Sequence, residues 1–350
     1  MKATLLLFLL IPALYAITLL KLVPLWSYKI GDEEIASLAF SDNGNLGVAS
    51  WDGCAYVFSP DGKLLNKVCT ESVCCGCMND VSYCCGKFAF INFDDYAYIT
   101  DENGTLIKKI YVGSNYDMAI TLIQDGFMAC SYECGFFDLN GNKLWSVDVG
   151  NVQEGPSYYQ GYWYAIDWER DMLVIIKDGS IVNEIYYGTL EVPSDSAVCG
   201  NYLAVSTCCK LHLYDIGSNP KIPNVIWTRE GLSVTEEVTF SPDCKYIAVT
   251  SVLDKELIIY DIKGNIVAMK AFDSEPWSVA WWKDRIAVGL YDGSIYVFKV
   301  EEVQMALSGT QSQGPTTSTT SETATNEMRT SISFPGPALL ALLVSLLRRR

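Results

Sequence analysis

Residues 45–63, NLGVASWDGCAYVFSPDGK, run as an apolar strand, a turn at Asp52-Gly53 and a second apolar strand. Residues 284–300, DRIAVGLYDGSIYVFKV, repeat that arrangement around Asp292-Gly293. Five related segments lie between them: KFAFINFDDYAYITDENG (87–104), GFMACSYECGFFDLNGNK (126–143), YWYAIDWERDMLVIIKDGS (162–180), NYLAVSTCCKLHLYDIGS (201–218) and KYIAVTSVLDKELIIYDIKGN (245–265). Aligned on Leu46, Phe88, Phe127, Tyr164, Leu203, Ile247 and Ile286, they form seven units about 40 residues apart, the period of a propeller blade.

Each unit contains four strand signals. The sixth shows them as VTF, YIAVTS, LIIYD and IVAMKAF, separated by turn residues such as Ser241-Pro242-Asp243 and Gly264-Asn265. The middle strands are apolar on both faces, as in Ile295-Tyr296-Val297-Phe298. A strand with one wet face would alternate, so both faces must be covered. Sheets packed face to face around an axis meet that demand. Helical periodicity is confined to the chain ends. The expected class is therefore all-β, a seven-bladed β-propeller over residues 25–303 with hydrophobic segments at both termini.

The seventh unit has strand signals near 278–282, 286–291 and 295–299, and no fourth. LWSVDVG, 144–150, is the fourth strand of the third unit, and LWSYKIG, 25–31, is its near copy at the start of the chain. The N-terminal copy is expected to complete the seventh blade, closing the ring and removing a bare sheet edge.

The blades resemble two propeller families. Phe240-Ser241-Pro242-Asp243, followed by a strand ending Tyr260-Asp261, is similar to WD repeats. The stretch from Phe137 through Gly141 and Lys143 to Trp145 is similar to pyrroloquinoline-quinone-type repeats. The Gly-His of WD repeats is absent, and the single histidine, His212, cannot supply a polar tetrad to every blade. The resemblance implies architecture, whereas function has to come from sites.

Outward from the blades, residues 1–20 carry Lys2 and then an apolar run, the pattern of a signal peptide or N-terminal anchor. Residues 304–333 are rich in Ser and Thr and cannot bury a core, which fits a stalk. Residues 334–350, FPGPALLALLVSLLRRR, form a hydrophobic anchor with an arginine tail. As a helix the apolar part would span about 21 Å, and the arginines would stay on the cytoplasmic side. This tail resembles the C-terminal signals of archaeal surface proteins, with Pro335-Gly336-Pro337 where those have Pro-Gly-Phe. The expected location is the outer cell surface, after secretion across the membrane and with anchoring through the C-terminal segment.

A net charge of −16 argues against nucleic acid as a partner and favours cations or basic surfaces. Thirteen cysteines suit an oxidising compartment. In a propeller, the b–c turns and the links between blades share one face, and the a–b and c–d turns share the other. Cys54 is expected to pair with Cys74, Cys75 or Cys77, and Cys199 with Cys244. Cys74-x-x-Cys77 has metal-ligand spacing, yet an inner strand separates it from Cys84-Cys85, which favours disulfides. Three adjacent pairs stand out: Cys74-Cys75, Cys84-Cys85 and Cys208-Cys209. Asn103-Gly104-Thr105 is a glycosylation sequon in an expected hairpin turn.

Acidic residues recur near the start of each innermost strand: Glu34, Asp80, Asp117, Glu154, Asp195, Glu237 and Glu275. A second set marks the b–c turns: Asp52, Asp94, Asp95, Glu133, Asp171, Asp254 and Asp292. Both sets fall on the link face and could draw a cation or a basic segment, although Asp is also an ordinary turn residue. Aromatics cluster at 156–168 and 276–282, as core or as a sugar-stacking surface. No nucleophile, base and orienter assemble in the sequence. The expected function is non-catalytic binding or scaffolding of another surface protein or a glycan, with no cofactor. The alternative is a quinone- or metal-dependent oxidoreductase using quinone or Ca2+.

Overall fold

A computed structural model describes residues 16–70, 77–116 and 118–306. It contains seven four-stranded antiparallel sheets. Blades 1 to 6 are built in chain order from residues 35–69, 78–111, 119–148, 157–186, 193–230 and 238–271. Blade 7 combines Pro276–Trp282, Arg285–Leu290 and Ser294–Ala306 with the first strand of the chain, Ala16–Lys29, as its outermost member. The chain divides into two compact units, Lys21–Glu301 and a terminal unit of Met1–Leu20 with Glu302–Arg350. In the terminal unit Gln304 Nε2 donates to Thr18 Oγ1 at 2.9 Å. Residues 1–15, 71–76, 117 and 307–350 lie outside the described residues, and with them most of the expected stalk and all of the expected C-terminal anchor.

Burial follows strand position. The second strands are buried along their whole length, as in Leu46–Ser50, Gly126–Cys130 and Tyr246–Ser251. The outermost strands Leu64–Cys69 and Lys143–Asp148 alternate between exposed and half-buried. Apolar clusters fill the seams between neighbouring blades. One joins Ile35, Val48 and Phe58 of blade 1 to Ala280, Ala287 and Val297 of blade 7, with Trp26 packed against it.

The two LWS copies do the same work. Trp26 donates its indole N–H to Pro60 O of the blade 1 c–d turn at 3.1 Å. Its ring lies over Gly62, where a Cβ would come within 2.7 Å and φ is +85°. Trp145 lies over Gly179 of the blade 4 c–d turn, with a Cβ position 3.2 Å away and φ of +72°. At the seam between blades 5 and 6, Trp227 donates to Ile262 O at 2.9 Å. A fourth-strand tryptophan thus clamps the following blade; Gly62 and Gly179 serve both the turn and the ring, whereas in blade 6 Arg229 lies over Gly264. The N-terminal strand also donates Ile30 N–H to Gly293 O at 3.0 Å.

Among the described residues four disulfides are present: Cys54–Cys69, Cys84–Cys85, Cys130–Cys134 and Cys199–Cys244. Cys199–Cys244 ties the a–b turns of blades 5 and 6, as expected. Cys54 departs from expectation: it bonds Cys69, its register partner across strands c and d of blade 1, and not Cys74, Cys75 or Cys77. Direct opposition in the ladder, with Cα atoms 4.1 Å apart, outranks proximity on the link face. Cys74 and Cys75 lie outside the described residues.

Replacing Trp26 by alanine should remove the half-buried ring and its hydrogen bond, lowering unfolding stability by about 2–3 kcal/mol. Trp145→Ala should cost a similar amount if the two copies are equivalent. Urea titration followed by circular dichroism measures both.

Candidate functional site at the channel mouth

The b–c turns are hydrogen-bonded to the links that precede each innermost strand. Trp51 N–H donates to Glu34 O at 3.0 Å, Trp168 to Asn151 O at 2.9 Å, Cys208 to Val192 O at 2.8 Å and Tyr291 to Glu275 O at 2.9 Å. Links and b–c turns therefore form one continuous face. Just below it, four innermost strands slip register at the same place: between Ile35 and Ser37, Met78 and Asp80, Pro193 and Asp195, and Pro276 and Ser278. A bulge re-aims the side chain at the slip.

Register fixes which residues share this level. Counting three residues back from the first-strand partner of each anchor gives Ser37, Asp80, Ala119, Glu154, Asp195, Glu237 and Ser278. Several of these side chains reach the innermost strand of the next blade. Asp80 Oδ2 accepts from Ile120 N–H at 2.7 Å, and Asp195 Oδ2 from Val238 N–H at 2.9 Å. Glu237 Oε2 accepts from Val279 N–H. Ser278 Oγ donates to Ile35 O at 2.8 Å, and Ser37 hydrogen-bonds Asp80. Innermost strands have no ladder partner on the axis side, so these bonds join the blades there. Glu154 differs: among the described residues its carboxylate accepts no hydrogen bond. Behind it, Gly155 is pressed against Asp80, and a Cβ there would lie 2.9 Å from Asp80 Oδ2.

A cavity of about 140 Å3 opens at this level, lined by Ser37, Asp80, Thr121, Glu154, Asp195 and Glu237. That is room for a few waters or one cationic head group. No lysine, arginine or histidine among the described residues pairs with any of the four carboxylates. Burial, opposed by its hydrogen bonds from Val238 and Ser196, pushes Asp195 up to about 8. Burial likewise raises Asp80, Glu154 and Glu237, and for Glu154 the nearby charges of Asp80, Asp195 and Glu237 add to it.

Among the described residues, four of the seven expected acids share the ring. Glu34 lies off the ring, buried, and its Oε1 has no hydrogen-bond partner among the described residues. Burial, then the neighbouring Glu236 and Glu33, pushes its carboxyl up to about 8. Glu275 pairs with Lys255 at 3.2 Å, and Asp117 lies outside the described residues. The b–c turn acids have local roles. Asp52 and Asp94 each accept from the tyrosine of the following strand, Tyr56 and Tyr98. Asp94 pairs with Lys109 at 3.0 Å, Glu133 accepts from Tyr116 at 2.5 Å and Asp254 from Ser251 at 2.8 Å. The Asp95 carbonyl accepts from Val112 N–H at 2.9 Å, and the Asp292 carboxylate accepts from Ser294 N–H at 3.1 Å. Asp171 has a left-handed backbone, φ +55°. Asn103 is exposed on the opposite face. No group of three or more His, Cys, Asp or Glu among the described residues is arranged to hold a metal ion.

Sequence reasoning missed an apolar crown around the mouth. Five residues after their anchors, Trp51, Tyr132 and Tyr291 are 42%, 58% and 52% exposed, and Leu253 lies beside the same turn position in blade 6. The signal was present, since aromatics recur at one repeat position, but the repeat alone does not tell a ring at a strand end from one inside it.

No family model matches the chain, and no curated protein does. Among solved structures it is similar to the WD40 β-propeller domain of Doa1, with a TM-score of 0.68, 14% identity, and coverage of 79% of this chain and 97% of that one. The fold is that of a WD40-like propeller.

The folded protein keeps protons on Glu34 and Asp195 between about pH 4 and 8 that the unfolded chain has released. Their contribution to stability is therefore full below that window and is lost as pH rises through about 8. Glu34→Gln removes one of the two charges. It should melt roughly 4–10 °C above the parent at pH 8.5, with the gap closing near pH 4. Calorimetry across that range tests this.

Proposed function

We propose that the protein is a non-catalytic scaffold that grips a basic segment of another surface protein through the link and b–c turn face. The observation that carries this reading is the ring of Asp80, Glu154, Asp195 and Glu237, which pairs with no lysine, arginine or histidine among the described residues and is surrounded by exposed Trp51, Tyr132 and Tyr291. A lysine or arginine lowered into the mouth would meet four carboxylates in a poorly screened site, where attraction is strongest. The rings around it supply the rigid apolar contact that dominates protein interfaces. WD40-like propellers present such a face as a broad rigid platform. The reading calls for no cofactor.

The setting is the outer cell surface, reached by secretion and kept by the C-terminal hydrophobic segment. The leader-like residues 1–20, the Ser/Thr-rich stretch 304–333 and the arginine tail support it. The disulfides are consistent with an oxidising compartment.

Carbodiimide crosslinking on intact cells joins carboxyl groups to lysines and tests both statements. Mass spectrometry should find peptides containing Glu154 or Glu237 joined to a lysine of a second protein. The double variant Trp51→Ala/Tyr291→Ala should weaken capture of that protein about tenfold, near 1.4 kcal/mol. Raising the salt should weaken it further. Crosslinks confined to the a–b and c–d face would overturn the reading.

A further inference from the structure

Eight of the described cysteines are locked in disulfides, while Cys208 and Cys209 are not. They form the b–c turn of blade 5, and their sulfurs lie 3.1 Å apart. The turn is held from both sides. Cys208 N–H donates to Val192 O of the preceding link at 2.8 Å, and Cys208 O accepts from Val234 N–H of the following link at 2.7 Å. Leu232 N–H donates to Cys209 O at 3.4 Å. With both peptide units pinned, the two sulfurs are held in contact.

The two thiols differ. Cys208 is buried, and its Sγ lies 3.1 Å from Leu190 O. Cys209 is half-buried beside Lys210, whose ammonium pairs with Glu191 and lies 3.4 Å from Glu230. His212 Nε2 faces Glu191 at 3.5 Å. The Cys208 thiol, donating to Cys209, lowers Cys209 to about 7, with Lys210 assisting and burial, Glu191 and Glu230 opposing. The same contact, reinforced by burial, raises Cys208. One sulfur is thus poised as a thiolate in partial contact with solvent, and its neighbour keeps a proton beneath it.

We propose that Cys208 and Cys209 form a thiol–disulfide exchange site that takes small-molecule disulfides, with Cys209 as the attacking thiol and Cys208 as the resolving thiol. The Cys209 thiolate attacks one sulfur of the disulfide RSSR, whose S–S bond breaks and releases RS−. The proton of Cys208 passes to that leaving thiolate through solvent. The Cys208 sulfur then attacks Cys209, breaking the mixed disulfide and releasing a second RS−, which takes a proton from water. The cysteine pair loses two electrons and the small disulfide gains them, leaving two RSH. Because Cys208 bonds the link that leads to Glu237, the exchange site lies on the same face as the acidic mouth.

The test uses the full chain and 2-hydroxyethyl disulfide. The parent should release two equivalents of mercaptoethanol, and the peptide holding Cys208 and Cys209 should lose two hydrogen masses. At pH 7 the reaction should run several-fold faster than with an unstructured cysteine peptide, since about half of Cys209 is thiolate against a few per cent of an ordinary thiol. Cys208→Ser should stop at the mixed disulfide, with one hydroxyethylthio group on Cys209. Cys209→Ser should not react at Cys208. Unchanged melting of both variants establishes that they fold. Persistence of both thiols in the parent, no adduct on folded Cys208→Ser, or parent-like exchange by Cys209→Ser would each overturn the proposal.

Discussion

The hydrogen-bonded pairing of Ala16–Lys29 with Ser294–Ala306 is the constraint on which the rest of the molecule depends. A propeller is a closed series of seams, and each seam needs a complete sheet on both sides. Without the N-terminal strand, blade 7 would present the bare edge of its third strand, and Trp26 would leave the blade 1 turn at Pro60. The chain that closes the ring comes from the far end of the sequence, so the last seam forms only when both ends have met. Loop-closure entropy opposes that meeting, and the apolar cluster joining Ile35 and Phe58 to Ala287 and Val297 must offset it.

Closure has a second consequence at the axis. The innermost strands lack a neighbour on the channel side, and their free N–H groups need acceptors. Asp80, Asp195 and Glu237 supply them by reaching across the seam, which is why acids recur at one repeat position. The same requirement brings four carboxylates around a small cavity, an arrangement that repels itself. Neutralisation by retained protons relieves this in isolation, and an incoming cation would relieve it in a complex.

The repeat, the blade count and the borrowed strand were legible in the sequence because they rest on periodicity and on one near-duplicate, LWSYKIG against LWSVDVG. The acidic ring was legible only in part. Glu154 and Glu237 lie ten residues before their anchors, whereas Asp80 and Asp195 lie eight before theirs, because the a–b turns differ in length. Without those lengths, Glu34 and Glu275 could not be told from ring members, and Ser37 and Ser278 gave no signal. Cys54 was misjudged for a related reason. Its partner is decided by cross-strand register with Cys69, which depends on the bulge between Val57 and Phe58.

The distribution of cysteine chemistry follows from the same geometry. Cys199–Cys244 crosses a seam and closes a segment of 45 residues, so it restrains the unfolded chain by about 4 kcal/mol in the loop-entropy description. Cys130 and Cys134 are register partners flanking a b–c turn, and bonding them only reinforces a hairpin that already exists. Cys208 and Cys209 occupy the corresponding turn of blade 5 but follow one another directly, so no ladder places them opposite each other. Their contact is imposed by the links on either side, at Val192 and Val234. A bond between them would restrain almost no chain, so stability gives little reason for it to stay closed. That leaves this pair, unlike the other two, suited to open and close.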